Sequence, residues 1–201
     1  MKKILAVLTI ASALLLTGCS QSNEAAIVGD FKITQTELQS SIDSVVAERT
    51  EVDTSQMQLE TGEELNRGQL RFKILMHTFD EIAKELKIEV TSSEITAKKS
   101  ELIQSVGGEA ELPKNLVNAA IAKQDFDAYV RAIVISEQIS AALAASGVPE
   151  SEVSSRVGEL LSAKTKSLGV TVNPRYGVWD NEVGDVVASN VTGDAVVPSN
   201  K

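Results

Sequence analysis

The chain has 201 residues, enough for one domain with a packed core and not comfortably enough for two. Its formal net charge of −9 repels nucleic-acid phosphates and anionic headgroups, so it argues against nucleic-acid binding and leaves membrane contact to an anchor. One cysteine cannot form an internal disulfide, and an aromatic content of 3% leaves little for a platform that stacks sugars or bases.

The first eighteen residues have the anatomy of an export signal. Lys2 and Lys3 precede an apolar run from Ile4 to Leu16, which is too short to span a bilayer stably. The run closes on Leu16-Thr17-Gly18-Cys19, which resembles the lipobox of bacterial lipoproteins. That resemblance implies a diacylglycerol on the Cys19 thiol, cleavage just before it, and a mature chain on the outer side of a cell membrane. Two or more acyl chains anchor stably where one does not. Loss of residues 1–18, with two lysines and no acid, makes the remainder more acidic still. Ser20 to Ala25 are polar or small, so residues 19–25 are expected to form a lipidated tether.

A single domain is expected over residues 26–188. Ala26-Ile27-Val28-Gly29-Asp30 reads as a strand ending in a turn. Thr34 and Glu37 form a capping-box signature, and Leu38, Ile42 and Val45 follow at helical spacing to about Arg49. Residues 50–62 read as a loop. A long helix is predicted over residues 63–86, with Phe72, Leu75, Phe79, Ile82 and Leu86 on one face. Thr91 and Glu94 repeat the capping box, and Gly107-Gly108 stops the helix that follows. A short helix is placed around residues 116–122. Phe126, Val130, Ile133, Val134 and Leu143 mark a long helix ending at Gly147, apolar around enough of its girth to be central. Pro149 suits the first turn of the last helix, whose stripe is Val153, Val157, Leu160, Leu161 and Leu168. Gly169 ends it. Residues 170–172, 178–180 and 185–188 are strand-like, and residues 189–201 read as a flexible tail. The expected fold is mainly α. It has about five helices and a small two-stranded sheet pairing the front strand with a late one, because two short strands do not stand alone in water.

Three segments together resemble one family. Residues 26–38 (AIVGDFKITQTEL) are similar to the opening of SurA/PrsA-type extracytoplasmic chaperones. Residues 86–95 (LKIEVTSSEI) resemble the joint between two helices of the same family. Residues 170–180 (VTVNPRYGVWD) are similar to the closing strand of small lipoproteins with a SurA N-terminal-like domain. The resemblance implies an ATP-independent holdase or folding helper for exported proteins. It does not extend to a parvulin domain. The helix ending at Gly147 is followed almost directly by Pro149, so isomerase activity is not expected.

No enzymatic constellation stands out. His77 is the one histidine, and with Cys19 committed to lipid a His/Cys metal site is not expected. Glu63-Glu64 and Asp80-Glu81 are adjacent on a helix, do not face each other, and read as solvated. The sequence contains no Gly-x-Ser-x-Gly elbow, Walker loop or dinucleotide fingerprint. Arg175, Tyr176 and Trp179 form a candidate partner contact, since such residues dominate hot spots. The other reading has Tyr176 and Trp179 covering the sheet and Arg175 pairing an acid, and it is preferred. The expectation is a non-enzymatic, membrane-anchored protein without cofactor or metal, binding unfolded exported chains. The alternative is an accessory lipoprotein with one dedicated envelope or transporter partner.

Overall fold

The computed structural model describes residues 23–189. Leu16, Thr17, Gly18 and Cys19 lie outside them, as do residues 190–201 of the expected tail.

The fold is mainly helical and begins with strand β1, Glu24–Val28. The described fold therefore takes in Glu24 and Ala25, which were expected to lie before the domain. Ala25 is fully buried, and the Glu24 carboxylate meets Lys32 Nζ at 2.9 Å. Small residues resembling a linker are small here because they fit inside a sheet. Gly29, at φ +59°, makes the tight turn into β2, Phe31–Thr34, which pairs antiparallel with β1. On the other side of β1 lies β3, Val170–Val172, with Ala26 opposite Val172 and Val28 opposite Val170. The expected pairing of front and late strands is present, and β2 adds a third strand to that sheet. A separate hairpin joins β4, Val178–Asp180, to β5, Asp185–Val187.

Two helices begin as their sequences dictate. Thr34 caps α1, Gln35–Glu48, and Thr91 caps α3, Ser92–Ser105, each in a reciprocal box with the glutamate three residues on. Between them α2, Gly62–Leu86, runs for 25 residues and ends at Lys87, in the left-handed region at φ 55°. The short helix α4 is Leu112–Asn118, earlier than expected, with Pro113 in its first turn. A 3₁₀ turn, Lys123–Asp125, leads into α5, Phe126–Ala145. The last helix, α6, is Glu150–Leu168, with Pro149 at its N-cap rather than inside its first turn.

The main core lies where the sheet, α1 and α2 meet, around Ile33, Leu38, Leu70 and Ile74. Burying such a side chain contributes about 1.5–3 kcal/mol. A second cluster joins α2, α5 and α6 through Ile82, Ile135, Ile139 and Val157. A third sets Leu116, Ile121, Phe126 and Val130 beside the partly buried Phe72 and Ile95. As expected, α5 is central, touching α2, α3 and α6.

The buried line of α2 differs from the expected one. It runs through Leu65, Leu70, Ile74, Thr78 and Ile82, while Phe72, Leu75 and Phe79 are half-buried and Leu86 is exposed. Polar members of the line are satisfied locally. Thr78 Oγ1 donates to the Ile74 carbonyl at 2.8 Å, and Gln69 Nε2 donates to the Ala120 carbonyl. Ala120 itself lies in the left-handed region, at φ 51°.

Candidate functional site

A groove of about 590 Å³ opens beside the edge strand β2. Its walls come from four parts of the chain: β2, the first turns of α1, the middle of α2, and the 3₁₀ turn leading into α5. The antiparallel register puts Phe31 and Ile33 on one face of β2. Ile33 is buried, while Phe31, next to the turn, stays 43% exposed. Along α2, Phe72, Met76 and Asp80 recur every four residues and so line one side of the helix.

His77 lies flat against Phe31, with ring centroids 4.0 Å apart and planes 14° from parallel. Burial pushes the imidazole pKa below the usual histidine value. Glu81 and Asp80 pull it back up, and Lys84 adds a smaller downward push. The shift favours the neutral ring.

The charges in the walls are paired. Lys73 Nζ lies 3.5 Å from the Asp125 carboxylate, with both side chains largely buried. Ser41, fully buried, donates its hydroxyl to the same carboxylate at 2.5 Å. Asp80 accepts from Arg131 Nε at 2.7 Å. The Glu37 carboxylate accepts from the Thr34 backbone and hydroxyl, which lowers its pKa below the ordinary carboxylate value. What remains for a ligand is an apolar surface of Phe31, Phe72, Met76 and Ala128, framed by satisfied polar groups. Such a surface suits apolar side chains better than it suits proton transfer. Among the described residues, no group of three or more His, Cys, Asp or Glu side chains is arranged to hold a metal ion.

The late cluster does not form an exposed aromatic patch. Tyr176 is 9% exposed and belongs to the main core, and Trp179 packs against that core while donating to Asn181 Oδ1 at 3.2 Å. Only Arg175 faces solvent. It meets the Tyr176 ring at 5.8 Å and the Gln35 side-chain oxygen at 3.5 Å, rather than the acid anticipated for it.

A holdase was expected to bind in an apolar groove between helices; that a strand forms part of the groove was not anticipated. Met76 and Phe79 beside His77 were visible, but the strand supplying Phe31 was not. Phe31-Lys32-Ile33-Thr34 does alternate between outward and inward positions, and that alternation was the available signal.

Compared with protein-family models, with curated proteins and with solved structures, the chain matches none.

Proposed function

We propose that this protein is an exported lipoprotein, held to the outer face of a cell membrane by diacylglycerol on Cys19, and that it binds unfolded exported chains without ATP. The observation carrying this reading is the open groove whose exposed Phe31 is stacked on the His77 ring. A shallow apolar trough with its own charges paired can accept many apolar segments and demands no particular polar pattern from them. Met76 supplies an adaptable side chain in the same trough. The resemblance of residues 26–38 and 86–95 to SurA/PrsA-type chaperones points the same way.

A second reading has its own support. Among the described residues, the large apolar side chains that are exposed are Phe31, Val46, Leu86, Val178 and Val183. That is little apolar surface for a generic holdase, and it favours a single dedicated partner.

Aggregation of chemically unfolded clients, followed by light scattering with residues 20–201 added, separates the two. Dose-dependent suppression with several unrelated clients, lost in Phe31→Ser and Met76→Gln variants of unchanged circular dichroism, supports the holdase. A folded protein with no effect on any client removes that reading, and cross-linking in intact cells then seeks the dedicated partner. Anchoring is tested separately. Labelled palmitate should enter the wild type and not Cys19→Ser.

A further inference from the structure

The chain between the proposed anchor and the first strand is very short, and this restricts how the fold can sit on its membrane. The described fold starts at Asn23, only four residues after Cys19. Four residues fully extended reach about 14 Å. Asn23 is also fastened to the fold, because its carbonyl accepts the Gln35 backbone N–H at 2.7 Å. The next two carbonyls accept from Asn173, Glu24 from its side chain at 3.1 Å and Ala25 from its backbone at 2.9 Å. The start of β1, the start of α1 and the turn after β3 thus meet at one end of the molecule, and that end cannot swing away from an anchor in the bilayer.

Resting on the lipoprotein reading, we infer that this end is the membrane-facing surface, with the Arg175 guanidinium against lipid phosphates and the β1–β2 turn beside Phe31 directed away from the bilayer. Two observations besides tether length favour this occupant. The first is charge. In a chain of net charge −9, three acids at this end are already engaged, Glu24 by Lys32 at 2.9 Å, Glu63 by Arg67 at 3.5 Å and Asp43 by the Gln39 side-chain amide at 2.8 Å. Arg175 contacts an amide oxygen and a ring, neither of them an acid, so its charge remains available to a phosphate. The second is direction. β1 carries the chain from Glu24 to Val28, and the turn to Phe31 lies beyond it. The Gly29–Asp30 turn, with Phe31 beside it, is therefore one strand length from the tethered end, while the start of α1 that walls the other end of the groove lies at the tethered end.

The test uses full-length lipidated protein reconstituted into phosphatidylethanolamine–phosphatidylglycerol vesicles that contain a headgroup-labelled quencher lipid. A lipidated Cys19 cannot take a thiol dye, so a cysteine introduced elsewhere is labelled alone. Pro174→Cys and Gln39→Cys place the dye near the tethered end, and Asp30→Cys places it on the turn between β1 and β2. Since β1 is roughly 13 Å long, quenching at positions 174 and 39 is expected to exceed that at position 30 by about twofold or more. Equal quenching, or stronger quenching at position 30, in lipidated protein with unchanged circular dichroism overturns the orientation. Dye uptake by the protein without an added cysteine would mean a free Cys19, which overturns the lipoprotein reading and the orientation together. Arg175→Glu in the Gln39→Cys background is expected to reduce quenching at position 39. No change overturns the phosphate contact.

Discussion

The imidazole of His77 lies against a phenyl ring and part-way out of water, and that position decides its charge. Burial favours the neutral form, so the folded pKa falls below the ordinary value of about 6.5. The stability it contributes is whole above that ordinary value and is lost as pH falls toward the lowered one. As the one histidine in the chain, it has an assignable ring-proton signal. Its NMR titration midpoint should lie below that of the urea-unfolded chain and move up toward it in Phe31→Ala, where the ring gains water. A folded midpoint at or above the unfolded one would contradict the stacked arrangement. Glu37 follows the same sign rule in another range. Two hydrogen bonds from Thr34 hold its pKa below the ordinary carboxylate value, with slight burial opposing and Lys73 assisting. The cap is therefore complete at neutral pH and weakens as pH falls through the lowered value. Thr34→Ala should cost about 1 kcal/mol at pH 7 in urea unfolding, and less near pH 3. An equal cost at both values would show that the carboxylate takes no part.

At the scale of elements, α3 differs from the other long helices. None of its residues is fully buried. It rests on α5 through Ile95 and Leu102 and through polar contacts, Lys98 to Glu137 at 2.8 Å, Lys99 to Asp127 at 2.6 Å and Gln138 to Glu94 at 3.0 Å. Exposed pairs of this kind stabilise little. Its ends lie near left-handed residues, Lys87 before it and Gly107 after it. Amide exchange in α3 should therefore be faster than in α2 and α5 and proceed by local opening. Equal protection across the three would mean that α3 opens only with the whole fold. The start of α3 was legible from sequence, because a capping box is a local device that tertiary packing does not alter, and the same holds for α1. The buried line of α2 was not. Size and hydropathy select Phe72, Leu75 and Phe79, but α2 is packed by α1, the sheet, α5 and α6 at once. The innermost line goes to Leu70, Ile74 and Thr78, and the larger rings fill the flanks. Strand β2 was hidden for another reason. Only three residues separate the turn after β1 from the cap of α1, so a turn and a helix start left almost nothing to read as a strand. Missing β2 also hid the strand wall of the groove, to which Phe31 belongs.

At the scale of the whole molecule, the excess negative charge would act on any client of the proposed holdase before the groove is reached. At low ionic strength, where the Debye length is about 30 Å, an acidic surface attracts basic chains and turns acidic ones away from well beyond contact distance. At physiological ionic strength the length is about 8 Å, and only contacts near the surface still feel it. The groove itself adds little to this selection, since Lys73 is set against Asp125 and Arg131 against Asp80 within its walls. Client choice by charge should therefore be a property of the overall field and salt-sensitive, whereas binding of apolar segments by Phe31 and Met76 should persist in salt. In the scattering assay, basic clients should be suppressed at lower ratios than acidic clients of similar size in dilute buffer. That difference should shrink as salt is raised, while the loss caused by Phe31→Ser stays the same. If basic and acidic clients remain equally separated at high salt, discrimination comes from close contacts rather than the field. Substitution at Lys73 and Asp125, the buried pair in the groove wall, then becomes the way to locate those contacts.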